Sequence, residues 1–311
     1  MLHITSLDEG LKVFKALGSD VRIEIVKLLL KNKEMSMNEL ASELSITNGA
    51  LTNHIKKLEN CNIVTTSSES SGHGNQKMCS LHLDKILVDF DVPEMCQNLY
   101  ATDLKIGHFS SYKVYPTCGL ASADALIGEV DDTRYFSHSD RYNAEILWFT
   151  KGFIEYEIPN FIPYAQKITQ IMLSAELSSE APGINEAWPS DISFYLNDKC
   201  IGSWTSPGDF GNIGGIFTPD WWPHNWNQYG LLKLLVINKQ GTFIDGLKIS
   251  DITINDFQLD FKSKIRFRMA VNDDADHVGG LTLFGKSFGN YSQDIKVSIN
   301  YAPIEPEPEH H

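Results

Sequence analysis

The chain has 311 residues, 42% of them hydrophobic, and a formal net charge of −14. That length suits two domains with ordinary cores, and no apolar run approaches the roughly 20 residues of a membrane span. The charge is unevenly placed: residues 1–85 hold ten basic and ten acidic side chains, so the whole acidic excess lies beyond them and disfavours loose polyanion binding there. The five cysteines (Cys61, Cys79, Cys96, Cys118, Cys200) are scattered and never spaced C-x-x-C, which reads as reduced thiols rather than a disulfide frame or a zinc site. No charged-then-apolar leader opens the chain, so a cytoplasmic location is expected.

In chain order, Leu7, Leu11 and Phe14 at i, i+4 and i+7 predict a first helix. Val21, Ile25, Leu28 and Leu29 predict a second after Gly18-Ser19. Ser36, with Glu39 three residues later, forms a capping box for a third helix with Leu40 and Leu44 inward. Thr47 caps a fourth, whose inward stripe is Leu51, Ile55 and Leu58. The pattern then changes. Ile63 to Thr66 and Met78 to Leu83 read as two strands around a Ser/Gly-rich tip, Ser67 to Asn75, which makes a wing.

Residues 1–85 are therefore expected to form a winged helix-turn-helix, and 86–147 a connector whose later part joins the second domain. From 148 to 302 the period is two. Ile154, Tyr156 and Ile158 share a face, as do Ile171, Leu173, Ala175 and Leu177, or Ile192, Phe194 and Leu196. Ile265, Phe267, Met269 and Val271, and Ile295, Val297, Ile299 and Tyr301, repeat the pattern between Gly/Pro/Asn/Asp clusters. The expected class is an α+β multidomain chain, its second half an antiparallel, jelly-roll-like β-sandwich. Residues 303–311 alternate Pro and Glu and are expected to be a disordered tail.

The second helix of a helix-turn-helix enters the DNA major groove. Here Thr47, Asn48, Gly49, Thr52, Asn53, Lys56 and Lys57 occupy its outward sides. Asn pairs bidentately with adenine, Thr meets a thymine methyl, Lys reaches phosphate, and Gly49 lets backbone approach closely. In the wing, His73 and Lys77 reach the minor groove or backbone, or are merely solvated. His54 lies near the buried stripe and reads as a packed structural residue. A helical protein-interaction module is the bland alternative for the whole unit.

Residues 8–85 resemble ArsR-type winged-helix repressors. FKALGSDVRIEIVKLLL is similar to that family's opening helices, and LTNHIKKLENCNIV to its recognition helix running into the wing. The whole chain also resembles a group of bacterial ArsR-like regulators with a C-terminal β-sandwich, through stretches like PTCGLAS and GGLTLFGKSFGNYSQDI. The resemblance implies a homodimer on a palindromic operator, with DNA affinity set by a ligand. One departure matters. Metal-sensing members carry Cys-x-Cys on the third helix, where this chain has Met35, Met37 and Ala41, so thiolate metal sensing there is chemically excluded.

The β region is expected to hold the sensor. Trp221, Trp222, His224, Trp226, Asn227 and Tyr229 are dense in rings that stack on sugars and in polar groups that bond their hydroxyls. The alternative is that these rings plug one end of the sandwich. Asn272 to His277 gathers oxygen ligands that suit calcium, but lacks EF-hand spacing and reads better as a solvated acidic turn. Asp132, Arg134 and Arg141 suit a domain interface or an anion. A glycosidase-like pair such as Glu155 and Asp191 is not selected by any spacing, and no catalytic motif is present. The expected function is a non-enzymatic, ligand-responsive regulator, a repressor of double-stranded DNA with a small carbohydrate effector and no cofactor. A carbohydrate-active enzyme or lectin with a helical accessory module, and a repressor with His/Asp metal ligands, remain as alternatives.

Overall fold

The computed structural model describes residues 2–4, 7–71, 74–83, 86–88 and 98–304. The chain divides into two compact units, Met1–Glu94 and Met95–His311. Among the described residues no helix is long and apolar enough to cross a membrane.

The first unit runs β1 (Leu2–Ile4), α1 (Leu7–Leu17), α2 (Asp20–Asn32), β2 (Glu34–Ser36), α3 (Met37–Glu43), α4 (Asn48–Glu59), β3 (Val64–Ser71), β4 (Gly74–Leu81) and β5 (Ile86–Val88). Its core is Val13, Ile25, Leu29, Leu40, Leu51, Ile55, Leu58 and Ile63. The capping box forms as its sequence requires: Ser36 Oγ accepts from the Glu39 N–H, and Glu39 Oε2 accepts from the Ser36 N–H at 2.8 Å. The turn to α4 closes without glycine. Ser45 takes a left-handed φ of 54°, the Ser45 N–H bonds the Ser42 carbonyl, and the Ile46 N–H bonds the Ala41 carbonyl. Those two bonds are a Schellman ending, which uses up orphan carbonyls of α3 and aims α4 away from it. β3 and β4 pair antiparallel, and β4 also carries β2, giving a three-stranded wing.

The apolar face of α1 differs from what its spacing suggests. Val13 and Ala16 are buried, whereas Leu7, Leu11 and Phe14 are 45%, 47% and 36% exposed. Helical periodicity identifies an apolar stripe but not which neighbour covers it.

The second unit is built from β6 (Leu99–Leu104), β7 (Ser111–Ala121), β8 (Ile146–Ile158), β9 (Gln166–Ser178), β10 (Ser190–Leu196), β11 (Lys199–Ser206), β12 (Leu231–Asn238), β13 (Gly241–Ile244), β14 (Leu247–Ser250), β15 (Ile265–Val271), β16 (Leu281–Phe284) and β17 (Ile295–Pro303). One layer is ordered β7-β8-β15-β10-β11 and the other β6-β17-β9-β12-β13-β14, all pairs antiparallel. Short β16 bonds to both β8 and β9 and so hinges the layers into a jelly-roll-like sandwich. Gly152 makes this possible. With φ of 107°, it sits where β8 passes from pairing with β16 to pairing with β15, and a Cβ there would stand 1.9 Å from the Lys113 carbonyl oxygen.

The alternating faces read from the sequence meet between the layers: Ile154, Tyr156, Phe194, Phe267 and Met269 share one buried cluster with Leu173, Leu177, Ile237, Val297 and Ile299. Within the segment 86–147 stand β5, β6, β7 and two 3-10 turns, Thr133–Ser137 and Ser139–Asn143. The tail beyond Ile304 lies outside the described residues.

Candidate nucleic-acid interface and ligand cleft

On α4, Leu51, Ile55 and Leu58 are buried, leaving Asn48, Gly49, Thr52, Asn53, Lys56 and Lys57 exposed together. Thr47 Oγ1 accepts the Ala50 N–H at 3.2 Å and fixes the helix start. A Cβ on Gly49 would meet nothing within 4 Å, so the surface there is open to close approach. Two outward groups are already engaged. Asn48 Nδ2 donates to Asn38 Oδ1 at 3.0 Å, and Thr52 Oγ1 donates to the Asn48 carbonyl at 2.8 Å, which turns only its methyl outward as a free contact. Lys56 and Lys57 have no ion-pair partner among the described residues, as phosphate contacts require. Lys77 stands 3.6 Å from Glu59 across the helix–wing junction, so its cation is partly spent. His73 lies outside the described residues.

His54 is half-buried with Nδ1 3.5 Å from Arg22 Nη1. Burial, with Arg22 and Lys57 nearby, lowers its pKa and keeps the ring neutral at neutral pH. Arg22 is itself buried and donates to the carbonyls of Lys15 and Ala16, tying the end of α1 to α2.

In the sandwich the aromatic segment separates into parts with different work. Trp222 is only 2% exposed, packed edge-on to Trp148, Trp226 and Phe288 at 5.0–5.6 Å, and its Nε1 donates to the Asn227 carbonyl. It is therefore not a platform for a ligand: the ring fills a second small core with Ile146 and Phe284. Asn227 is buried too. Tyr229 stacks on Phe210 at 5.4 Å, Trp221 donates to the Ala123 carbonyl from an exposed position, and His224 is exposed.

Trp226 and Asn227 do reach a cleft of about 160 Å³, lined also by Thr117, Asp131, Trp148, Glu180 and Asp209. Glu180 Oε2 accepts from Asn227 Nδ2 at 2.9 Å and Thr282 Oγ1 at 3.1 Å, and Oε1 accepts from Thr117 Oγ1 at 3.2 Å. Asp209 Oδ2 accepts the Ala181 N–H at 3.0 Å, while its buried Oδ1 has no hydrogen-bond partner. Burial, together with the neighbouring Asp209, drives the Glu180 carboxyl well above its ordinary range. Burial alone raises Asp209 to about 7. Neither residue was singled out in the sequence. A second cleft of about 250 Å³ lies over the outer face of β8 and β15, with Tyr115, Phe153, Tyr195 and Arg268. Of its lining charges, Arg268 pairs with Glu155 and Asp198 and Asp273 with Lys151, while Lys113 lies 5.8 Å from the Tyr115 ring centroid.

The remaining sequence candidates resolve locally. Glu155 is held by Arg268, and Asp191 by Thr205 and His277, so the two are parts of separate networks. Arg134 pairs with Asp132 beside it, and Arg141 lies over the Phe109 ring at 4.2 Å while donating to its carbonyl. In the 272–277 turn Asp273 takes Lys151, and among the described residues no cluster of three or more metal-ligating side chains is found.

Residues 19–66, from the start of α2 into β3, match the family model described as bacterial regulatory protein, arsR family. No curated protein matches the chain. Among solved structures, reduced HlyU from Vibrio cholerae is 26% identical, covering 25% of this chain and 76% of its own at a TM-score of 0.22. A transcriptional regulator homologue from Pyrococcus horikoshii is also 26% identical, over 24% and 75% of the two chains, at 0.21. PorU from Porphyromonas gingivalis is 10% identical over 78% of this chain and 18% of its own, at 0.27. TM-scores of this size bear on neither unit's function.

Proposed function

We propose that the chain, which carries an arsR-family segment at residues 19–66, is a DNA-binding transcriptional regulator with α4 as its reading helix and the sandwich as its sensor. The observation that supports the first part is the face of α4: a capped helix with a buried apolar stripe and Asn53, Lys56 and Lys57 all turned out beside an open Gly49. Asn53 reads a base edge, the Thr52 methyl meets thymine, and Lys56 and Lys57 hold phosphates. A unit with no net positive charge gains operator affinity by doubling its contacts. The uncovered Leu7, Leu11 and Phe14 face of α1 supports a homodimer across it. In this reading a small carbohydrate-type effector enters the cleft beside Trp226 and lowers operator affinity by altering the placement of the two reading helices, which makes the protein a repressor.

The test is fluorescence anisotropy on duplexes selected from a random pool. Lys56→Ala is expected to weaken all duplexes and lower the magnitude of the salt slope by about 1 per removed phosphate contact, whereas Asn53→Ala relaxes preference among sequences. Unchanged binding in both variants overturns the assignment of α4.

A further inference from the structure

The cleft beside Trp226 has an unusual balance of groups. Its lining includes three carboxylates, Asp131, Glu180 and Asp209, and no lysine, arginine or histidine. Glu180 and Asp209 are 9% and 1% exposed, yet the partners described above are all neutral donors. A carboxyl buried without a cation keeps its proton, and an unpaired buried acceptor costs free energy. Here Asp209 Oδ1 has no partner at all. The missing complement is a positive charge with hydrogen-bond donors.

The rest of the lining narrows its kind. A hard divalent ion needs several converging oxygens, and among the described residues no group of three metal-ligating side chains stands close enough to hold one. Indoles offer such an ion nothing. The indoles of Trp148 and Trp226, 5.9 Å apart, instead suit an organic ligand with an apolar face and attract an ammonium through their ring quadrupoles. A phosphorylated ligand would meet only like charge.

We infer that this cleft takes a hydroxylated organic cation, an amino sugar in its ammonium form, with the ammonium toward Asp209 and Glu180 and the ring against Trp226. The inference deepens the sensor reading and rests on it for its biological sense. Binding exchanges the carboxyl proton that burial retains in the empty cleft for a charge-assisted ammonium–carboxylate pair, the stronger kind of hydrogen bond.

The test is calorimetric titration of the full chain with D-glucosamine hydrochloride, D-glucose, N-acetyl-D-glucosamine and calcium chloride. D-glucosamine is expected to bind about tenfold or more tightly than either neutral sugar. Asp209→Asn is expected to abolish that preference. If this variant does not fold by circular dichroism, the wild-type comparison of D-glucosamine with its N-acetyl derivative still isolates the charge. Equal binding of the neutral sugars, or calcium binding with no D-glucosamine binding, overturns the inference. Anisotropy on operator DNA with each sugar separates the two readings. Tight D-glucosamine binding with unchanged DNA affinity removes the sensor role alone. A neutral sugar that shifts DNA affinity while D-glucosamine does not bind removes this inference alone.

Discussion

The two units handle polar groups in opposite ways. In the first, the buried polar side chains among the described residues are Arg22 and Ser36, both satisfied by backbone, and the candidate chemistry stands on an exposed helix face. In the sandwich, Glu155, Glu176, Glu180, Asp209, Lys233, Asp245 and Asp294 are all buried. Some are structural: Lys233 pairs with Asp245 at 2.9 Å and lies over Trp204, and Glu176 collects the N–H groups of Gly230, Asn290 and Tyr291. Glu180 and Asp209 have no charged partner among the described residues, and Asp209 takes a single backbone N–H. A helix that reads DNA needs its side chains in water before binding, whereas a pocket that discriminates small molecules gains from removing water.

The largest expected effect breaks the aromatic segment into its two roles. Trp222→Ala empties a fully packed position and is expected to cost about 3–5 kcal/mol of stability in denaturant titration. Trp221→Ala, at a ring 37% exposed with one hydrogen bond to the Ala123 carbonyl, is expected to cost about 1 kcal/mol. Equal costs would mean that burial does not separate the neighbours.

A pH series sharpens the contrast between the units. Asp209 is raised from 3.8 to about 7, Glu176 from 4.5 to about 8, and Glu180 well above 4.5, each chiefly by burial. Between pH about 4 and about 8 the folded sandwich therefore keeps protons that the unfolded chain has released. Stability falls as pH rises through that window, the reverse of a salt-bridged carboxylate. Thermal melts of the sandwich are expected to shift downward from pH 5 to pH 8, and Asp209→Asn to flatten part of the slope. A melt that rises over the same range contradicts the buried, uncompensated carboxylates.

Local features of this contrast were legible in the sequence and non-local ones were not. Ser36, Glu39 and Thr47 declare their helices because capping is settled within four residues, and the alternation of Ile192, Phe194 and Leu196 or Ile265 to Val271 declares its strands because the pleat is local. β7 was obscure: its pairing with β8 shifts register between Tyr115 and Cys118, so no simple period survives. The cleft was hidden for a different reason. Glu180 meets Thr117, Asn227 and Thr282 from positions 63, 47 and 102 residues away, brought together only by sheet pairing. The ring density at 221–229 marked the right neighbourhood, but whether a given tryptophan faces solvent depends on Trp148, Phe284 and Phe288 beneath it. For α1, the spacing of Leu7, Leu11 and Phe14 was plain while its covering partner was not.

The smallest effects compare the two caps of the helix-turn-helix, and they set stability against function. Ser36 is fully buried and shares reciprocal bonds with Glu39, so Ser36→Ala is expected to cost about 1–2 kcal/mol. Thr47 is exposed and makes the single cap bond to Ala50, so Thr47→Ala is expected to cost about 0.5–1 kcal/mol. DNA affinity is expected to rank them the other way. Thr47 opens the helix that carries Asn53 and Lys56 and stands on its exposed end, where fraying or loss of a backbone contact acts directly on the bound duplex. Ser36 opens α3, whose contribution to the duplex is support of α4. If operator affinity, measured where both variants are fully folded, drops more for Ser36→Ala than for Thr47→Ala, then the reading surface begins on α3 and the assignment of α4 as the reading helix fails.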